Sequence, residues 1–172
     1  GRNTPFRGTG IRIPTLAEVL WSFPAMPVLV EVKEPAVQEA VRRVLLEERA
    51  AERCVVASER LDALELFEEG QFARAAAGPE ISELYRSVLL GRAQPWPAYR
   101  ALSVPMRHRG LPVPTRRFIA AARRHGCPVH VWTVNHAATA RRLWARGVAG
   151  IVTNVPDVIL AARDSTASPP AT

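Results

Sequence analysis

The chain has 172 residues, 48% of them hydrophobic and 23% charged, which suits one well-cored soluble domain and excludes disordered and collagen-like classes. Its formal charge of +7 is unevenly spread: residues 1–83 hold 10 basic and 14 acidic side chains, whereas residues 84–172 hold 13 arginines against Asp157 and Asp164 alone. No apolar run approaches the roughly 20 residues of a membrane helix and no signal-peptide pattern opens the chain, so no membrane span and a cytoplasmic location are the expectations.

The basic half needs a reading. Its arginines fall as doublets (Arg116-Arg117, Arg123-Arg124, Arg141-Arg142) on the polar sides of predicted helices, without interleaved exposed aromatics. Solvation of helix faces is therefore expected ahead of a field that steers an anionic substrate, and no nucleic-acid partner is expected. Cys54 and Cys127 form no CxxC pair or disulfide framework, and each opens an apolar run, so both are read as small core residues. The oligomeric state is left open.

From the N-terminus, a helical pattern ends at Trp21-Ser22-Phe23-Pro24, and Val28 to Pro35 then reads VLVEVKEP. Side chains of a strand alternate faces, so Val28, Val30 and Val32 share one face and Leu29, Glu31 and Lys33 the other. An acid and a base thus stand on a surface that should be apolar. Residues 35–50 carry Val37, Val41, Val44 and Leu45 at helical spacing behind Pro35, which suits a first turn. A strand at 54–58 is followed by Leu61, Leu64 and Phe67, read as a helical stripe ending at Gly70. A strand at 72–77 precedes a helix over 79–90 that stops at Gly91.

Residues 92–99 and 105–114 are proline-rich and read as loops on either side of a strand at 100–104. Phe118, Ile119 and Ala122 then mark a helix before Gly126, 128–134 a strand, Ala140, Leu143 and Trp144 a helix before Gly147, and 150–153 a strand. Residues 1–163 are expected to form one domain and 164–172 a disordered tail. Strands alternating with helices imply a parallel sheet, open or closed into a barrel.

In such folds functional groups gather at the carboxyl ends of the strands. Glu31 and Lys33 lie there, as do Ser58-Glu59, Ser103, Trp132 to Asn135 and Thr153-Asn154. A surface ion pair would explain Glu31 and Lys33 at little energetic consequence. Burial of their face would instead call for a divalent metal beside Glu31 and a phosphate beside Lys33. His130 is read as a core histidine, Trp132 as either a core cap or a pocket floor, and Asn135 as the N-cap of the following helix.

The segments IPTLAEVL, the Glu31-x-Lys33 pair in VLVEVK, VHVWTVN and GVAGIVTNVPD, in this order and spacing, resemble the glycerophosphodiester phosphodiesterase family over nearly all of residues 6–162. The resemblance implies an α/β fold of the (β/α)8 TIM-barrel type, with about six of the eight β-α units in this chain. It implies a phosphoric diester hydrolase that converts glycerophosphodiesters to glycerol 3-phosphate and an alcohol with a divalent metal ion, Mg or Ca. By resemblance Glu31 is a metal ligand, Lys33 binds the substrate phosphate and Trp132 borders the substrate pocket.

The family's His-Arg-Gly, Glu-x-Asp and His-Asp motifs, which supply its general acid and base and further metal ligands, belong upstream of the segment that IPTLAEVL matches. No such set occurs here, so the chain alone is expected to be inactive. His108-Arg109-Gly110 repeats the tripeptide in the wrong place and is expected not to be catalytic. A truncated, non-catalytic binding or structural module of the same fold is the alternative. An unrelated α/β phosphate-binding domain would need glycine-rich loops that do not appear.

Overall fold

The computed structural model describes residues 8–68, 71–92 and 97–167. Helix α1 (Leu16–Ser22) starts at a reciprocal capping box: Thr15 Oγ1 accepts the Glu18 N–H at 3.2 Å, and Glu18 Oε2 accepts the Thr15 N–H at 2.8 Å. Arg12 closes on the same carboxylate, and Arg12 together with the Thr15 donors holds Glu18 down at about 2. The far end of α1 is seated by Arg53, which donates to the carbonyls of Met26 at 2.8 Å and Leu20 at 2.9 Å.

The remaining strands and helices interleave. The strands are β1 (Val28–Glu31), β2 (Cys54–Ala57), β3 (Ala73–Arg74), β4 (Leu102–Pro105), β5 (Arg107–His108), β6 (Leu111–Pro112), β7 (Val129–Trp132) and β8 (Gly150–Ile151). The helices are α2 (Gln38–Glu47), α3 (Gly78–Leu90), α4 (Arg116–Arg124), α5 (Ala137–Trp144) and α6 (Pro156–Ala167). All strands except β5 and β6 are parallel, in the orders β1-β2-β3 and β4-β7-β8. A parallel bridge between Ala75 and Ala101 joins the two sheets, so the six expected strands succeed one another in chain order. Among the described residues β1 and β8 each pair on one side only.

The two faces of this arc differ in side-chain size. On the outer face Val32 and Val56 pack with Leu20, Leu45, Leu64 and Phe67. Further round, Leu102, Val104, Val129 and Val131 pack with Phe118, Ile119 and Leu143. Each fully buried aliphatic or aromatic side chain here contributes roughly 1.5–3 kcal/mol. Between β2 and β4 the inner face holds Ala57, Ala75 and Ala101, with Val55 against them. Small residues there leave space at the strand ends, which the cleft described below occupies. Cys54 and Cys127 are free and buried, as small core residues should be.

Two expected elements differ. The stripe after β2 is not an α-helix but two 3-10 turns, Leu61–Ala63 and Glu65–Phe67. Leu61, Leu64 and Phe67 recur every three residues, which is the period of the 3-10 helix. Buried Gln38 fixes these turns from α2, donating to Asp62 O at 2.9 Å and accepting the Leu66 N–H at 3.2 Å. Gly70, where the helix was expected to stop, lies outside the described residues.

The expected loop 105–114 contains the antiparallel β5–β6 hairpin, turned by Arg109 (φ 48°) and Gly110 (φ 82°). Positive φ at both central residues is the geometry of a two-residue hairpin turn. Helix α6 extends to Ala167, into the segment expected as a tail, and 168–172 lie outside the described residues, as do 93–96 of the other expected loop. The arginine doublets of α4 and α5 are exposed, as solvating residues should be. No described helix is long and apolar enough to cross a membrane.

Candidate active site

The alternation read in VLVEV holds. Val28 and Val30 pack into the helix-facing core with buried Val32, while Leu29, Glu31 and Lys33 turn to the inner face. Glu31 stands opposite Ala57 of β2, and the Val32 N–H donates to Ala57 O at 2.7 Å, so pairing extends one residue beyond the strand. Lys33 Nζ donates to Glu31 Oε1. The pair is not buried: the Lys33 side chain is 73% exposed and that of Glu31 41%. It stands at the open mouth of a cleft.

That cleft, of about 720 Å³, lies along the carboxyl ends of the parallel strands. Glu31, Lys33 and Trp132 all line it, so the three residues singled out by the sequence converge on one cavity. Ala57, Ser58 and Glu59 follow from β2, and Ser103 and Pro105 from β4. Ser58 is buried and its Oγ accepts the Arg60 N–H at 3.1 Å, which shapes the turn after β2.

Several lining residues were not foreseen. Helix α3 brings Ile81, Ser82, Tyr85 and Arg86 to the cleft, and the hairpin brings His108, Arg109 and Leu111. The start of α3 is pinned by Arg74, only 2% exposed, whose guanidinium makes two bonds to Glu80 at 2.7 and 2.9 Å. Glu80 also accepts the Ala77 N–H at 2.8 Å. A Cβ at Gly78 would meet Glu59 O at 3.0 Å, so the glycine allows α3 to close on the β2 loop. The signal available for the hairpin was Gly110 between His108 and Leu111 at two-residue turn spacing.

His130, on the face of β7 that carries Trp132, is half-buried. Burial lowers its pKa below the ordinary imidazole value, against a hydrogen bond to the Leu102 backbone that acts in the opposite sense. Asn135 does not cap α5, whose N-cap position is His136 without a side-chain cap. Its Oδ1 instead accepts from Thr153 Oγ1 at 3.1 Å and Asn154 N–H at 2.9 Å, clasping the loop after β8. Thr153 Oγ1 in turn accepts the Val155 N–H at 3.1 Å. The β7–β8 pairing brings the segments after the two strands side by side, within reach of these bonds.

A divalent cation takes six or more oxygen ligands, some of them water. Glu31 Oε2 carries no hydrogen bond among the described residues and is available as one such ligand. Among the described residues no three His, Cys, Asp or Glu side chains converge. Glu31 thus fits as one member of a ligand set that the described residues do not complete.

A model of the glycerophosphoryl diester phosphodiesterase family matches residues 1–158. A Mycobacterium tuberculosis protein named "Probable glycerophosphodiester phosphodiesterase 2" is 29% identical over 159 residues, covering 88% of this chain and 60% of that protein. The chain spans about 60% of the length of the curated relatives it matches. A glycerophosphoryl diester phosphodiesterase domain from the same organism superposes with a TM-score of 0.76 at 17% identity, over 94% of this chain and 66% of that one. An Oleispira antarctica phosphodiesterase, solved with the product sn-glycerol-3-phosphate, does so at 0.63 and 21% identity, over 88% of this chain and 62% of that one. These likenesses establish an α/β fold of the TIM-barrel type. The family match over most of the sequence carries the further conclusion: the chain belongs to the glycerophosphoryl diester phosphodiesterase family.

Proposed function

We propose that the protein hydrolyses glycerophosphodiesters to glycerol 3-phosphate and an alcohol in a metal-dependent reaction, with this chain supplying the Glu31, Lys33 and Trp132 side of the active site. The observation that carries the reading is the convergence of these three residues on one cleft at the strand ends, in a member of this family. In the reaction the phosphorus–oxygen bond to the alcohol breaks and a water oxygen takes its place.

Lys33 places an ammonium where the phosphate enters and offsets charge that develops on the equatorial oxygens. Glu31 offers a carboxylate oxygen to the cation, and its pairing with Lys33 keeps the two groups oriented until substrate arrives. The indole of Trp132 forms apolar wall against which the substrate is held and water is displaced. A divalent cation, Mg or Ca, supplies Lewis acidity toward the phosphoryl oxygens when bound.

Two substitutions in the complete protein encoded by the gene separate the roles. Glu31→Gln keeps the shape and removes the charge, so metal affinity falls and excess metal restores part of the rate. Lys33→Met removes the ammonium, and the rate falls at every metal concentration by roughly 2–4 kcal/mol in transition-state free energy, the scale of one lost electrostatic donor. An exposed pair with no catalytic part would contribute no more than about 1 kcal/mol of stability. Unchanged kcat/KM and unchanged metal dependence in both variants would refute the assignment.

A further inference from the structure

We propose that the β5–β6 hairpin is an arm that reads the alcohol head group, and that Arg109 at its tip selects glycerophosphodiesters whose head group carries a negative charge, a carboxylate or a second phosphate. The proposal rests on the function given above and adds a substrate class to it.

The arm is built to hold its position. Arg107 Nη1 donates to Gly110 O at 2.5 Å across the turn, and Tyr85 Oη donates from α3 to Pro112 O at 3.1 Å. At its base the Met106 N–H donates to Trp132 O at 3.2 Å and the Val113 N–H to Met106 O at 3.2 Å. The hairpin is therefore tied to α3 on one side and to the strand bearing Trp132 on the other. A recognition group on such a support loses little freedom when ligand binds.

Arg109 departs from local preference at this tip. Its φ of 48° is left-handed, where a side chain with a Cβ is unfavourable and where Asn or Gly would make the same turn at less cost. The turn therefore does not account for an arginine. The charges of the cleft do. Of the cations that line it, Lys33 pairs with Glu31 and Arg86 with Glu83, whereas the guanidinium of Arg109 has no ion-pair or hydrogen-bond partner among the described residues.

The acids of the cleft stand at one end: Glu31 closes β1, with Lys33 paired to it, and Glu59 follows β2. Arg109 follows β4, beyond β3 in the sheet order. A diester whose phosphate meets Lys33 reaches along the strand ends toward the hairpin with one of its two ester arms. The glycerol arm is neutral in every such substrate. Only the head group varies in charge, so a free cation at this end discriminates among head groups.

The test uses glycerophosphoserine and glycerophosphoethanolamine, which differ by a single carboxylate. The complete protein is titrated with each by calorimetry in the presence of chelator, and turnover of each is measured separately with metal. The expected result is tighter binding of the serine ester by about tenfold, the scale of one charge-assisted contact. Arg109→Gln is expected to bring the two affinities within about twofold, Arg109→Lys to retain part of the preference, and Arg116→Gln, an exposed arginine of α4 outside the cleft, to retain all of it. Equal binding of the two esters, or a preference that survives Arg109→Gln, overturns the proposal. A preference in binding without turnover of either ester supports the arm and refutes the hydrolytic reading; turnover without preference does the reverse. Failure of both esters to bind overturns the arm, and absence of turnover of both with metal overturns the hydrolytic reading.

Discussion

Gly150 is the position where one added methyl tests the packing beneath the cleft most directly. It pairs with His130 across β7 and β8, and a Cβ built on it would lie 2.2 Å from His130 Cδ2 and 3.1 Å from Nε2. Non-bonded carbons rest about 3.5–4.0 Å apart, so the overlap exceeds an ångström and the imidazole must move. It has little room, because β7 lies between β4 and β8 and Trp132 follows two residues on along the same face. Gly150 is not among the glycines with positive φ, so alanine meets no backbone penalty there. At an unhindered site the change would even stabilise by roughly 0.4–1 kcal/mol through the unfolded chain. Gly150→Ala is expected to cost about 1–3 kcal/mol by overpacking, which for a chain of this size lowers Tm by roughly 2–4 °C per kcal/mol. Urea and thermal unfolding of the complete protein measure it. His130→Ala made together with Gly150→Ala should cost less than the two changes summed, since the small residue frees the space the methyl needs. A Gly150→Ala variant within about 0.5 kcal/mol of the parent, or strictly additive costs, would refute the contact.

Two further outcomes follow from the histidines. The folded protein prefers His130 neutral, because burial lowers its pKa, while the unfolded chain protonates near the ordinary value of about 6.5. The associated stability is present above that value and is lost as pH falls through it toward the lower folded one. His130→Gln should flatten that part of a stability–pH curve, and an unchanged slope would place the titration elsewhere. His108 lines the cleft on β5; on the expectation that it takes no part in proton transfer, His108→Ala should lower kcat by no more than a few-fold. A loss of about a hundredfold, the scale of an acid–base group, would place proton transfer on the hairpin.

The parallel arc was legible because its strands are short apolar runs and its helices have clear 3.6-residue stripes, both read from neighbouring residues alone. Val28, Val30 and Val32 show the outer face by alternation, and Phe118, Ile119 and Ala122 show the buried face of α4 in the same way. The misread stretch after β2 shows the limit of that approach. Leu61, Leu64 and Phe67 satisfy one turn of either helix type, and what selects the 3-10 form is Gln38, 24 residues from Asp62, whose carbonyl it binds. A side chain that distant in sequence leaves no mark on local periodicity. Asn135 failed for a related reason: a residue before a helix is a good cap only when no better donor is nearby, and here Thr153 and Asn154 arrive from the neighbouring strand.

The candidate site divides along the same line. Glu31 and Lys33 stood out because each breaks the pattern of its own strand, placing charge on a face that period-two alternation assigns to the interior. Tyr85 and Arg86 break nothing. Tyr85 belongs to the apolar stripe of α3, and Arg86 lies three residues after Glu83, to which it bonds, so each is already explained by its own helix. Their place in the cleft depends on where α3 begins, which Arg74 and Glu80 determine through a nearly buried ion pair. Arg109 is the intermediate case. Its left-handed backbone is a local violation, yet one expressed in φ rather than in residue type, because arginine is not a turn signal and Gly110 alone accounts for a bend. Residues that conflict with their own element can be found from sequence, whereas those that serve their element and the cleft together emerge only when the elements are assembled. The hairpin therefore offers the sharper test of specificity, since Arg109 has no role in the turn that a neutral residue could not fill.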